Sequence, residues 1–167
     1  MLKDIDRIFS EYNLVYWIDG GTLLGAIRHE DIIPWDDDGD IAILNSDEEK
    51  LLALEPQLNN LGYGLAKFWG GYKIYPLSGS EIKYYNRNWT WTNKDVNDTY
   101  NYKYPFIDVF LVNKFDDKYH FSNPQVRKTW PLYYHDLTDL FPLKKYKFNS
   151  FELYGPNNPN SYLNRSY

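Results

Sequence analysis

The sequence predicts an α/β (α+β) domain in which a small mixed sheet is flanked by helices. Three observations lead there. Short runs rich in branched and aromatic residues alternate with stretches of helical period. The length of 167 residues suits one domain, 1–167, with one sizeable core. Hydrophobic residues at 43% and aromatics at 19% can fill that core, which argues against disorder.

Each element has its own signal. Leu2, Ile5, Ile8, Phe9 and Tyr12 recur at helical spacing, so the chain opens with a short amphipathic helix. Residues 14–18 read as a strand. Gly20 and Gly21 break it, and Thr22 is placed to cap a second helix running through Leu23, Leu24 and Ile27 to about His29. A loop containing Pro34 leads into a strand over the second half of residues 36–44. Ser46 and Glu49 have capping-box spacing for a helix carrying Leu51, Leu52, Leu54 and Leu58, with Gly62 as its stop. Strands are expected at 63–68, 72–77 and 81–85, with a turn at Gly70 and Gly71. Residues 86–103 are polar, aromatic and without period, and read as a long loop of the kind that often serves function. A strand over 106–112 follows. The remainder is short pieces separated by prolines, ending in a short helix at Tyr162.

Charge and composition narrow the function. The 18 Lys and Arg stand against 23 Asp and Glu. Six of those acids, Glu30, Asp31, Asp36, Asp37, Asp38 and Asp40, lie between positions 30 and 40 with no base among them; without them, 17 acids face 18 bases. The acidity is therefore one local cluster. No basic stripe tracks a phosphate backbone, so nucleic acid is not an expected partner. Zero cysteines exclude disulfides, thiolate metal sites and cysteine catalysis. No apolar run approaches the ~20 residues of a transmembrane helix, and the charged N-terminus has no secretory pattern, so the cytoplasm is the expected location.

The acid cluster invites a cation. Strand side chains alternate, so Asp38 and Asp40 project on one face roughly 7 Å apart, and Asp36 joins them if the chain is extended there. Carboxylates so held repel when empty and can bracket a hard divalent ion. An acidic run is most often a solvated loop, but Pro34, Trp35 and the apolar strand that follows are not what a solvated loop needs. An EF-hand fails, because counting from Asp36 puts Ile41 where Gly belongs and Asp47 where Glu belongs. A Walker loop fails too, since no Gly-Lys-Ser/Thr follows the glycines. The Gly20-Gly21 turn lets backbone approach a ligand, and the helix start favours phosphate. His29, His120 and His135 show no ligand spacing and are expected at the surface. Lys73, Trp89 and Trp91 read equally well as substrate contacts or as packing.

The segment Gly20, Gly21, Thr22, Leu23, Leu24, Gly25 and Arg28, followed by Ile33, Pro34, Trp35, Asp36, Asp38 and Asp40, resembles the LicD/fukutin-related phosphotransferases of the nucleotidyltransferase superfamily. Ile107, Asp108, Val109 and Phe110 are similar to the family's third-acid element, and Tyr162, Leu163 and Tyr167 to its closing motif, so the resemblance covers most of the chain. Gly39 departs from it, standing where an apolar residue is usual and loosening the strand between the two acids. The resemblance implies a nucleotidyltransferase-like fold and transfer of a phospho-alcohol from a CDP-linked donor to a glycan hydroxyl. It implies Mg²⁺ or Mn²⁺ held by Asp36, Asp38 and Asp40, with Asp108 completing the metal shell or accepting the proton of the attacking hydroxyl. Gly20, Gly21, Thr22 and Arg28 would contact the donor, though Arg28 also fits as a plain helix-end cation. Two other readings remain: an Asp-x-Asp nucleotide-sugar glycosyltransferase, and a non-catalytic glycan-binding or structural protein using aromatic faces such as Trp89, Trp91 and Trp130. Clustered repulsive carboxylates would give the latter no advantage.

Overall fold

The computed structural model describes residues 1–83 and 99–167. In chain order these form α1 (Leu2–Glu11), β1 (Tyr16–Ile18), α2 (Gly20–His29), β2 (Asp38–Leu44), α3 (Glu48–Ala53), α4 (Glu55–Asn60), β3 (Tyr63–Phe68), β4 (Gly71–Pro76), β5 (Ser80–Lys83) and β6 (Thr99–Tyr104). Then come β7 (Phe106–Phe115), β8 (Lys118–Phe121), α5 (Pro124–Thr129), β9 (Tyr134–Asp136), α6 (Leu137–Leu140), β10 (Lys144–Phe148), β11 (Phe151–Gly155) and α7 (Asn160–Ser166). The expected mixed sheet is present.

Its central pair is β2 and β7, which run parallel. The main order is β1-β2-β7-β4-β3; β8 pairs the far end of β7 and carries β9. β5 with β6 and β10 with β11 form separate antiparallel ribbons. β7 explains its place by composition: Ile107 to Val112 are all buried, as a strand covered on both faces requires. Period-two alternation then sorts side chains between two cores. Ile41, Ile43, Ile107, Val109 and Ile74 pack against α1 and the leucines of α3 and α4. Ala42, Phe110 and Val112 face the other way, with Trp17, Phe121 and Val126. The acids lie on this second face, at the ends of the strands that hold the aromatic core.

Three expectations change. The helix over residues 46–62 is a 3₁₀ turn (Asn45–Asp47) followed by α3 and α4, with no side-chain cap bond at either helix start. Pro56 separates the two helices, since it has no N–H and its ring collides with the carbonyl four residues back. Thr22 does not cap α2; Asp19 does, its carboxylate accepting from Gly20 N at 3.0 Å. The last part of the stretch read as a loop, from Thr99, is strand β6 paired with β5. The rest of that stretch, including Trp89 and Trp91, lies outside the described residues. No helix among the described residues is long and apolar enough to cross a membrane.

Candidate active site

Strand register assembles the site. In the parallel pair Asp40 stands opposite Asp108, and in the antiparallel pair on the other side of β7 Lys73 stands opposite Asp108. One row across three strands thus reads Asp40, Asp108, Lys73. Asp38 lies two residues before Asp40, on the same face. Carboxylate oxygens of Asp38, Asp40 and Asp108 all lie within 4.8 Å of one another. A second group, Asp36, Asp37 and Asp38, meets the same 4.8 Å limit, so Asp36 joins the site through Asp38. The trio that converges is Asp38, Asp40 and Asp108, with Asp36 alongside.

Asp40 is the most firmly held. Gly21 N donates to its Oδ2 at 2.8 Å, its own N–H donates to Thr22 Oγ1 at 2.7 Å, and its carbonyl accepts from Asp19 N at 3.0 Å. The two glycines let the acids come close, and Gly20 also takes a left-handed backbone. A Cβ at Gly20, whose φ is +50°, would lie 2.6 Å from Asp40 Oδ2; one at Gly21 would lie 2.3 Å from Asp36 Oδ2. Gly20 N donates to Asp19 and, at 3.2 Å, to Tyr162 Oη. The Gly20 N–H is thus taken up by Asp19 and Tyr162, while the Gly21 N–H and the buried Thr22 hydroxyl are the groups that fix Asp40. Arg28 is exposed at the far end of α2. Gly39 is accommodated, a Cβ there meeting Ile107 at 3.3 Å and Leu2 at 3.6 Å.

Behind the acids lies a buried support that sequence reasoning missed. His135 Nε2 is 3.1 Å from Asp19 Oδ1, and its ring stacks on Tyr162 with centroids 4.2 Å apart. His120 and His135 are both buried, contrary to their expected surface positions; the sheet β7-β8-β9 carries them inward. Asp19 could have been found, since Asp directly before a glycine-led helix is a strong capping signal. Neither histidine had such a signal. Lys73 is buried too, ion-paired to Asp108 and with its ammonium 3.8 Å from the centre of the Phe106 ring and 4.7 Å from that of Phe68.

The electrostatics follow from crowding. Burial, then repulsion from Asp108, Asp36 and Asp37, pushes the Asp38 carboxyl up to about 6, with Lys73 offsetting part. Asp40 is raised well above the usual carboxylate range by burial, Asp38 and Asp108. Burial raises Asp108 despite Lys73, and burial with Asp37 raises Asp36. Asp19 goes the other way: burial works to raise it, but His135 and the bonds from Gly20 and Tyr162 bring it below the ordinary value. Three acids that resist ionising together, converging with hard oxygen donors, fit a divalent cation of the Mg²⁺ or Mn²⁺ type.

A cleft of 440 Å³ runs by Asp36, Asp37 and Asp38, and among the described residues two more meet at Asp40. One, of 220 Å³, is lined by Asp19, Asp38, Asp40 and Asp108 with Phe110, Phe121, Trp130 and Tyr133. The other, of 480 Å³, runs by Gly21, Leu24, Arg28, Trp35 and Asp36. Asp40 and Tyr167 line both.

A mixed sheet with convergent strand-end acids behind a glycine-led helix defines a nucleotidyltransferase-type domain. The family described as LicD/FKTN/FKRP, nucleotidyltransferase domain, matches residues 13–158, and the chain belongs to it. It is 36% identical over its whole length to the uncharacterized protein RP689 of Rickettsia prowazekii, covering 52% of that protein. Human ribitol 5-phosphate transferase FKRP is 62% identical over 32 residues, 19% of this chain and 6% of the human one. Lipopolysaccharide cholinephosphotransferase LicD of Haemophilus influenzae is 46% identical over 41 residues, 25% of this chain and 16% of that one. The chain spans about half the length of the curated relatives it matches end to end. Of these relatives, FKRP is named a ribitol 5-phosphate transferase and LicD a cholinephosphotransferase.

Proposed function

We propose that the chain is a metal-dependent phosphotransferase that moves a phospho-alcohol, of the phosphocholine or ribitol-phosphate kind, from a CDP-linked donor to a glycan hydroxyl. The observation that supports this most is the convergence of Asp38, Asp40 and Asp108 within 4.8 Å at the start of a parallel strand pair. The transferase names of two relatives bring in the class of transferred group.

In this reading Asp38 and Asp40 would hold Mg²⁺ or Mn²⁺, with Asp36 approaching from the loop before β2. A bound ion there would neutralise charge on the donor diphosphate. The chain's own residues do the rest. Thr22, Gly21 and Asp19 keep Asp40 from swinging away. Lys73 fixes Asp108 beside the reacting centre. Asp108, whose raised proton affinity suits a base, takes the proton of the acceptor hydroxyl. The hydroxyl oxygen bonds to the phosphorus bearing the alcohol, the bridging P–O bond breaks, and CMP leaves with the electron pair.

The test is product identity. With Mn²⁺ and CDP-ribitol or CDP-choline, ³¹P NMR should show CMP and the free phospho-alcohol forming slowly, with water as acceptor. Turnover of UDP-glucose to free sugar and UDP, with the CDP-alcohols untouched, would instead make the protein a glycosyl-transferring enzyme and overturn the proposal.

A further inference from the structure

The two clefts that meet at Asp40 are chemically unlike, and the difference assigns them. Resting on the transferase reading above, we infer that the cleft of Arg28 and Trp35 receives the cytidine nucleotide, with Trp35 as the stacking platform for its base.

Direction comes first. Phosphoryl transfer places the attacking and leaving oxygens roughly in line, on opposite sides of the phosphorus. Two substrates therefore need two approaches to one point, and the clefts supply them at Asp40. Among the described residues, Asp108, the proton acceptor, lines the smaller of these two clefts and not the larger. The hydroxyl must come from the side of its base. The leaving nucleotide then lies toward the larger cleft.

Charge gives the same answer. CMP departs as an anion. Among the described residues, the smaller cleft is lined by four carboxylates and no cation. The larger has two, Asp36 and Asp40, and sets Arg28 and His29 on the same wall. Gly21, Leu24 and Arg28 fall at spacings of three and four, so they share one face of α2. That face leads from the acid cluster to Arg28 over roughly 10 Å of helix, and the arginine stem leans back toward the helix N-terminus, where a phosphate would sit.

Trp35 has no packing reason to be where it is. It is 83% exposed, and its one ring contact among the described residues is a T-shaped one with His29, centroids 6.5 Å apart and planes at 79°. A bare indole face on the wall of a 480 Å³ cleft beside an arginine suits a planar base followed by a phosphate.

The experiment is calorimetric titration of CDP, with Mn²⁺ present, into wild type, Trp35→Ala, Trp35→Phe and Trp130→Ala. Trp35→Ala should lose affinity on the order of tenfold or more, the usual scale of one lost base–aromatic stack. Trp35→Phe should recover most of it. Because Trp35 is exposed, its loss leaves the fold intact, which circular dichroism checks. CDP binding to wild type that Trp35→Ala leaves unchanged, or that Trp130→Ala weakens instead, overturns the assignment and leaves the transferase reading standing. Absence of CDP binding by wild type overturns both.

Discussion

Replacing Asp38 by Asn tests the acid cluster through stability. Its carboxyl stands at about 6 in the folded chain, raised by burial and by Asp108, Asp36 and Asp37, against about 3.9 when unperturbed. A pKa raised on folding means that protonated Asp38 favours the fold: that contribution is complete below about pH 4 and is lost as pH rises through about 6. Two units correspond to at most about 3 kcal/mol. Partial solvent access at Asp38 screens this, leaving about 1–2 kcal/mol. At pH 7.5 with EDTA, Asp38→Asn should therefore melt roughly 3–6 °C above wild type, and the two should converge near pH 4. Mn²⁺ reverses the order. Wild type should gain ~2.7 kcal/mol with the ion at about a hundred times its dissociation constant, whereas the amide variant loses most of that gain. Differential scanning fluorimetry at both pH values reads all four conditions. A variant that is less stable at pH 7.5 without metal, and just as responsive to Mn²⁺, would refute the reasoning and make Asp38 a structural residue.

Other perturbations separate the remaining parts of the site. Asp108→Asn should abolish transfer while keeping much of the Mn²⁺ stabilisation, since Asp38 and Asp40 remain; near wild-type CMP release would reduce Asp108 to a structural partner of Lys73. Gly20→Ala meets a φ of +50° and a contact 2.6 Å from Asp40 Oδ2; it should cost about 1–2 kcal/mol from the backbone alone and blunt the Mn²⁺ response, and a wild-type melting profile would contradict the packing argument. His120, whose Nδ1 accepts from Phe121 N at 2.9 Å, is held down to about 4 by burial and by Arg127. A lowered histidine pKa means stability present above about pH 6.5 and lost on acidification through about pH 4, up to about 3 kcal/mol; His120→Gln should flatten that limb in urea titrations, and an unchanged limb would remove His120 as its cause.

What the sequence made legible was whatever lies close together along it. The glycine turn, α2 and the acids of β2 fall within some twenty residues and use local rules: glycine breaks, helical period and strand alternation. Asp108 was different. Its approach to Asp40 depends on a parallel pairing across 68 positions, which alternation alone does not reveal, and only the family resemblance singled it out. Lys73 was weighed without being placed, because a lysine in a strand is ordinarily at the surface and only the register opposite Asp108 makes it a buried counter-ion. Asp19 was missed because Thr22 competed for the same capping role. His135 sits 116 residues from its partner Asp19, with no periodicity to announce it. The break at Pro56 was legible and went unread, since the leucines on both sides keep a helical spacing.

The three acids are expected to serve metal-dependent transfer. The most direct measurement is the initial rate of CMP release from CDP-ribitol and CDP-choline, followed by chromatography, in EDTA and then with Mn²⁺ restored. Wild type should be silent in EDTA and active on at least one donor with Mn²⁺, and Asp40→Asn silent in both. Release that persists in EDTA, or that survives in Asp40→Asn, would contradict the claim that Asp38, Asp40 and Asp108 form the catalytic centre.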